Sequence, residues 1–138
     1  MANIDQLTRQ HEEIREIFEL MSRELKKGIS EENVDIVVKT INVLAGKLKV
    51  HMGTEDRFLY PALKASPNEK LKQIEKQYSE EMANLANAFE QYKQKYNTRS
   101  KALVDVTVFS AESREILKLM VARIDREDRM VYPEMKQL

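Results

Sequence analysis

Residues 50–63, VHMGTEDRFLYPAL, return later in the chain as residues 122–135, ARIDREDRMVYPEM. Both copies contain Glu-Asp-Arg and Tyr-Pro in the same register, and apolar residues occupy matching positions around them. The copies differ most at one position, because His51 of the first is replaced by Arg123 in the second. The repeat therefore predicts two related helices that carry different polar groups at the same place.

A carboxylate follows each of these two positions by one helical turn. Glu55 comes four residues after His51, and Glu127 comes four residues after Arg123. Residues four apart share one face of a helix. The first copy therefore presents a histidine–carboxylate pair of the kind that binds metal ions. The second copy presents a cation–carboxylate pair, which is neutral without a metal.

Length and composition favour a small helical protein. The chain has 138 residues, and we expect a single domain over residues 1–138. Lys plus Arg and Asp plus Glu number 23 each, so the net charge favours neither nucleic acid nor an acidic membrane. No cysteine is present, which excludes disulfides and thiolate ligands and fits a reducing compartment. No stretch approaches the roughly 20 apolar residues of a membrane span, so we expect a cytoplasmic protein.

Only three glycines and three prolines occur in the chain, which favours long helices with short connections. We predict a first helix over about residues 3–27 and a second helix capped by Ser30. Pro67 is expected at the first position of a third helix, which ends at residues 97–99. A fourth helix is predicted over about residues 101–131.

The Tyr-Pro pairs of the repeat, Tyr60-Pro61 and Tyr132-Pro133, are expected to close the second and fourth helices. Proline disfavours the helical conformation of the residue that precedes it. Four helices with short loops predict an all-α fold, an antiparallel up-down-up-down four-helix bundle.

Polar residues interrupt the apolar stripes of the first two predicted helices. His11 is the polar member of the first stripe, which otherwise contains Ile4, Leu7, Ile14, Phe18, Met21 and Leu25. His51 and Glu55 interrupt the second stripe, which otherwise contains Val37, Ile41, Leu44, Leu48 and Phe58. We therefore expect all three polar side chains to face the core.

The other two helices are interrupted in the same way. Glu81 interrupts a third stripe that contains Leu71, Ile74, Tyr78, Leu85, Ala88 and Tyr92. Arg123 and Glu127 interrupt a fourth stripe that contains Phe109, Ile116, Met120 and Met130. In an antiparallel bundle, the starts of the first and third helices lie beside the ends of the second and fourth. His11 and Glu81 are therefore expected at the same level as the polar pairs of the repeat.

Such a cluster needs partners, because an isolated buried charge costs several kcal/mol. One solution is a metal ion. The two imidazoles of His11 and His51 with the carboxylate of Glu55 have the composition of a non-haem iron triad. Glu127 and Glu81 could add oxygen ligands, which suits iron or manganese better than zinc.

The other solution needs no metal. The guanidinium of Arg123 can bind two carboxylates at once, while the histidines form hydrogen bonds with the remainder. The residues alone leave both solutions open.

The segments LTRQHEEIREIFELM, KLKVHMGTEDRFLYPAL and VARIDREDRMVYPEM resemble the hemerythrin-like, HHE cation-binding domain. The resemblance covers essentially the whole chain. Its most specific part is the second-helix motif, a histidine, three residues, a glutamate and then Leu-Tyr-Pro. The resemblance implies a four-helix bundle that holds a non-haem, usually di-iron, centre. By the same resemblance, His11 matches the first-helix ligand, His51 and Glu55 match the second-helix pair, and Glu127 matches the fourth-helix carboxylate.

The chain departs from that family pattern in two helices. Arg123 stands where the fourth helix has a histidine, and the third helix has no histidine. Either Tyr78 or Glu81 lies at the level of the missing third-helix ligand. The resemblance therefore implies a divergent branch of the family, with one iron ion, an asymmetric pair, or no metal.

Three functions follow as hypotheses. The first is a metal-binding protein with iron that senses oxygen, peroxide or nitric oxide, or handles iron. Its partners are then a metal ion and a small diatomic ligand or peroxide. The second is a structural or interaction module in which an Arg123–carboxylate network has replaced the metal. The third is an enzyme that consumes peroxide or oxygen, and no protein partner is indicated.

Overall fold

The computed structural model describes residues 4–136, and within that range the chain is helical and forms no strand. Its α-helices are α1 (Ile4–Lys27), α2 (Val34–Thr54), α3 (Tyr60–Ala65), α4 (Glu69–Tyr96), α5 (Arg99–Leu103), α6 (Val106–Arg126) and α7 (Tyr132–Lys136). Two π-helical turns, Glu55–Leu59 and Glu127–Val131, join α2 to α3 and α6 to α7. The long helices pack as a bundle in which α1 contacts α2 and α6, and α4 also contacts α2 and α6. The predicted all-α class is confirmed.

The second helix begins later than the predicted cap at Ser30 would place it. Val34 is its first residue, and Asn33 precedes it in a turn. The Asn33 side chain accepts a hydrogen bond from the Ser30 N–H at 2.8 Å and donates one to the carbonyl of Gly28 at 3.0 Å. Asn33 therefore ties the end of α1 to the start of α2, and Ser30 belongs to the turn between them.

The starts of the later helices also differ from the prediction. Asn68, one residue after Pro67, is the cap of α4 and accepts a hydrogen bond from the Lys70 N–H at 2.9 Å. The predicted fourth helix is divided, because α5 ends at Leu103 and a new helix starts at Val106. The carboxylate of Asp105 caps α6 by accepting a hydrogen bond from the Val108 N–H at 3.1 Å.

The Tyr-Pro pairs do not close the helices, so that prediction was wrong. Both helices continue through them as α3 and α7. The reason is the π-helical turn before each pair, in which the N–H of Tyr60 donates to the carbonyl of Glu55, and that of Tyr132 to Glu127. These bonds span five residues, one more than in an α-helix. Proline has no N–H to donate, so it fits at the point where the backbone hydrogen bonds change from the five-residue spacing of the π-helical turn back to the four-residue spacing of an α-helix.

The extra residue in each π-helical turn changes which side chains face the core. Phe58 and Met130, predicted to face inward by α-helical spacing, are exposed. The next residues, Leu59 and Val131, are buried instead. Ala88, which lies in α4 and outside both π-helical turns, was also predicted to face inward and is exposed. The repeated Glu-Asp-Arg segments thus both form a wider turn that moves the inward positions by one residue.

The buried apolar side chains of residues 4–136 form two separate clusters. On α1, Leu7 belongs to the smaller cluster and Ile14 to the larger one, with buried His11 between them. Along each repeat, the change from the larger to the smaller cluster occurs at the buried glutamate. A layer of polar side chains therefore crosses the core of the bundle. Among the described residues, no helix is long and apolar enough to cross a membrane.

The larger cluster predicts a strong dependence of stability on Phe109, which is fully buried at the start of α6. Replacing Phe109 by Ala should lower the free energy of unfolding by about 3–5 kcal/mol, because it leaves a cavity. Val104→Ala is the matched control, since Val104 is 85% exposed in the preceding connection and should change stability by less than about 0.5 kcal/mol. Urea denaturation measures both. Equal effects of the two variants would contradict this assignment of the core.

Candidate metal centre

Four side chains with metal-ligand atoms meet in the polar layer. His11 is on α1, His51 is near the end of α2, and Glu55 and Glu127 begin the two π-helical turns. One ligand atom from each lies within 4.8 Å of the others. None of the four residues is more than 2% exposed. The structure thus brings together four of the five predicted site residues.

The ligand-type atoms of the four side chains lie close to one another. The two Nε2 atoms of His11 and His51 are 3.0 Å apart, and His11 Nε2 is 3.1 Å from Glu127 Oε1. His51 Nε2 is 3.5 Å from Glu55 Oε2 and 3.7 Å from Glu127 Oε1. Ligands bound at about 2.1 Å to one ion are separated by roughly 3.0–3.4 Å in octahedral or tetrahedral geometry. The two shorter contacts lie within this range, and all the ligand atoms lie within 4.8 Å of one another, so the cluster is compact enough to hold a metal ion.

The outer nitrogen of each histidine has an acceptor that fixes the tautomer. His11 Nδ1 lies 2.8 Å from the carboxylate of Asp128, and His51 Nδ1 lies 2.8 Å from the side-chain oxygen of Gln10. Both partners accept hydrogen bonds at these atoms, so each Nδ1 carries the hydrogen. In a neutral ring the Nε2 lone pair then points into the cluster, whereas a protonated ring directs an Nε2 hydrogen at the carboxylates.

Three buried polar atoms in this region lack a hydrogen-bond partner within the described chain. They are Glu55 Oε1, Glu127 Oε2 and Arg123 Nε. Buried carboxylate oxygens are normally satisfied, and an unsatisfied one costs about 1–3 kcal/mol or more. Two imidazoles and two carboxylates with unused oxygens form a donor set that fits a divalent first-row metal ion.

The charges of the cluster shift the pKa values of its members. Burial lowers the pKa of His51, but the hydrogen bonds and charges of Glu127 and Glu55 raise it to about 9. Burial and the charge of Glu127 raise the pKa of Glu55 to about 8. Although burial opposes it, hydrogen bonds from Glu55 and both histidines hold the pKa of Glu127 below its usual range. At neutral pH the protein alone therefore places a protonated His51 and Glu55 against an ionised Glu127.

Arg123 occupies the other side of the layer. Its Nη2 atom donates to the hydroxyl of Tyr60 at 2.9 Å and to the backbone carbonyl of Tyr78 at 2.7 Å. Its guanidinium also lies over the Tyr78 ring, 4.7 Å from the centroid. Arg123 Nε is 3.7 Å from Glu127 Oε2, which is an ion pair but not a hydrogen bond. The predicted cation is therefore in the core beside the carboxylate of its own repeat.

The structure does not bring Glu81 into the cluster. Its side chain is 39% exposed, and its carboxylate pairs with Arg123 at 3.3 Å and Arg126 at 3.0 Å. The two guanidinium groups hold it at the margin of the layer, away from the histidines. Tyr78 also stays outside, since its ring packs against these same two arginines. Neither candidate for the third-helix position reaches the four ligand-type atoms.

Sequence reasoning missed three residues that contact the cluster. Two of them, Gln10 and Asp128, are next to a predicted ligand in the sequence. The third, Tyr132, donates a hydrogen bond to Glu55 Oε2 at 2.9 Å and lies 3.1 Å from His11 Nε2. Ideal α-helical spacing places neighbours of an inward residue on the helix flank. The pairs Gln10-His11 and Glu127-Asp128 were the only features of the sequence that could have indicated these contacts. The wider π-helical turn brings Asp128 and Tyr132 within hydrogen-bond distance of His11.

Comparison with known families agrees with this chemistry. The family model described as hemerythrin HHE cation binding domain matches residues 2–135. The curated proteins and the solved structures returned no significant match to the chain.

The raised pKa values of His51 and Glu55 predict how stability depends on pH. In the folded, chelator-treated protein these groups keep protons that the unfolded chain releases near pH 6.5 and 4.5. Their contribution to stability is therefore complete below those values and is lost as the pH rises towards 9 and 8. The lowered pKa of Glu127 makes stability decrease only as the pH falls below about 4.5, which is outside this range. The melting temperature should fall between pH 6 and pH 9.

Circular dichroism melting at each pH measures this dependence. Glu55→Gln is the control, because it removes one of the two groups and weakens the effect on the other, so its slope should be smaller. A melting temperature that rises over this range would contradict the protonation pattern.

Proposed function

The chain belongs to the hemerythrin HHE cation-binding family, and on that premise we propose that it is a non-haem iron-binding protein. The ligands are His11, His51, Glu55 and Glu127. The observation that carries the proposal is the convergence of their four ligand atoms within 4.8 Å in a buried layer. Two imidazoles with two carboxylates suit iron or manganese better than a structural zinc site. A bound iron ion supplies a Lewis-acidic, redox-active centre for a small ligand.

Proton exchange supports the same assignment. His51 and Glu55 hold protons at neutral pH, and both must release them to coordinate a cation. The unsatisfied oxygens of Glu55 and Glu127 would gain a positive partner. Metal binding is therefore expected to strengthen as the pH rises.

A single ion is the form of the site that we favour. The side chain of Arg123 is 95% buried, and its guanidinium donates hydrogen bonds to Tyr60 and to the backbone of Tyr78. It places a fixed positive charge next to Glu127, where a second cation would be repelled. The third-helix side chains that could have offset this repulsion are Tyr78 and Glu81, and both interact with arginines instead. An asymmetric pair would require Arg123 to leave this position.

Burial favours small ligands over organic substrates. The four proposed ligands are at most 2% exposed, so a large substrate has no direct approach to them. Oxygen, peroxide or nitric oxide can penetrate such a layer through small fluctuations. We therefore favour sensing of one of these molecules, or iron handling, over enzymatic turnover of an organic compound.

The proposal includes the connectivity of an antiparallel up-down-up-down bundle in a single domain. Contacts that run in opposite order along neighbouring helices support it. Along α1 and α2, Gln10 meets Thr54, whereas Glu13 meets Lys47, nearer the start of α2. This order supports an antiparallel arrangement of α1 and α2.

A metal-free module is the second candidate, and the position of Arg123 favours it. Arg123 already neutralises part of the acidic layer, and protons on His51 and Glu55 can neutralise the rest. Under this alternative, Arg123→Ala should lose about 3–5 kcal/mol of stability and no iron should bind.

Anaerobic titration with Fe(II), followed by removal of free metal and elemental analysis, separates the two candidates. We expect one iron per chain. Glu55→Gln should weaken binding by more than about 100-fold, since loss of a ligand exceeds the 10–100-fold effect of an outer partner. Glu81→Gln is the matched control and should bind as the unaltered protein does. Iron-free protein under these conditions would overturn the proposal, as would equal losses in both variants.

A further inference from the structure

We propose that Asp128 and Gln10 are positioning residues that hold the two imidazoles with their Nε2 lone pairs directed at the metal. This inference rests on the proposed function. Neither residue supplies a ligand atom. Each acts on the far side of a histidine, where a hydrogen-bond acceptor fixes the ring orientation and the tautomer.

Asp128 is held from two sides. One carboxylate oxygen accepts from His11 Nδ1 at 2.8 Å, and the other accepts from the guanidinium of Arg15. Arg15 also donates to Asp125 at 3.0 Å, one turn before Asp128. These contacts fix the carboxylate, and through it the plane of the His11 ring.

Gln10 is oriented by a chain of hydrogen bonds that has one consistent direction. The hydroxyl of Thr54 donates to the carbonyl of Val50 at 2.9 Å and accepts from the Gln10 side-chain nitrogen at 3.1 Å. The remaining Gln10 oxygen faces His51 Nδ1 at 2.8 Å and can only accept. His51 therefore carries its hydrogen on Nδ1.

The repeat supplies an internal comparison. Asp56 is the counterpart of Asp128 in the first copy, and both follow the glutamate of a π-helical turn. Asp128 is 26% exposed and bonded to His11, whereas Asp56 is exposed and has no side-chain hydrogen bond or ion pair among residues 4–136. The same backbone geometry thus places one aspartate behind a histidine and leaves the other in solvent.

The two supports differ in charge. A carboxylate on Nδ1 makes His11 a stronger donor than a neutral amide makes His51. Asp128 is therefore expected to contribute more to metal affinity than Gln10.

Fe(II) affinity, measured anaerobically by competition with a chelator, tests the positioning role. Asp128→Ala should weaken binding by about 10–100-fold. Asp128→Asn keeps an acceptor oxygen and should restore part of the loss, and Asp56→Ala should bind as the unaltered protein does. Unchanged affinity in Asp128→Ala, or an equal loss in Asp56→Ala, would overturn the inference.

Nitrogen-15 NMR of the histidine rings in chelator-treated protein supplies a readout independent of metal binding. We expect His11 to carry its hydrogen on Nδ1 and to lose that preference in Asp128→Ala but not in Asp56→Ala. If the unaltered protein binds no iron, but Asp128→Ala still loses the Nδ1 preference of His11, the proposed function fails while the orienting contact stands. If Asp128→Ala leaves the His11 tautomer unchanged, the positioning role is refuted, whether or not iron binds.

Discussion

The bundle must balance the charge of two carboxylates that it buries beside two imidazoles in one layer of its core. The Nε2 atoms of His11 and His51 are 3.0 Å apart, and two glutamates face them. Water cannot solvate these groups, so a proton, a cation or a guanidinium must balance their charges. Arg123 provides that balance on one side of the layer, and protons or a metal ion provide it on the other.

The repeated Glu-Asp-Arg turns connect the backbone to this layer. In both turns an extra residue moves the inward register by one, which buries Leu59 and Val131 and brings Tyr132 to the cluster. Such π-helical turns recur at functional sites because they redirect side chains without ending the helix. The change from His51 to Arg123 within two equivalent backbones therefore places an imidazole in one half and a guanidinium in the other, each one turn before a buried glutamate.

Much of this arrangement was predictable from apolar spacing and from the repeat. The all-α class and the convergence of His11 with the His51–Glu55 pair follow from stripes of α-helical period. The outward turn of Phe58 and Met130 did not, because a π-helical turn changes the period only locally. The position of Glu81 depends on competition between arginines of α6 and the cluster, which sequence spacing cannot resolve.

A crystal of the protein grown with Fe(II), measured at wavelengths on both sides of the iron absorption edge, tests the single-ion site most directly. The expected anomalous map has one peak per chain, within coordination distance of the His11 and His51 Nε2 atoms, with Arg123 still bonded to Tyr60. Two peaks about 3.5–4 Å apart, with Arg123 displaced, would contradict a single-ion site and indicate a dinuclear centre. No peak at the four ligand-type side chains would contradict metal binding itself.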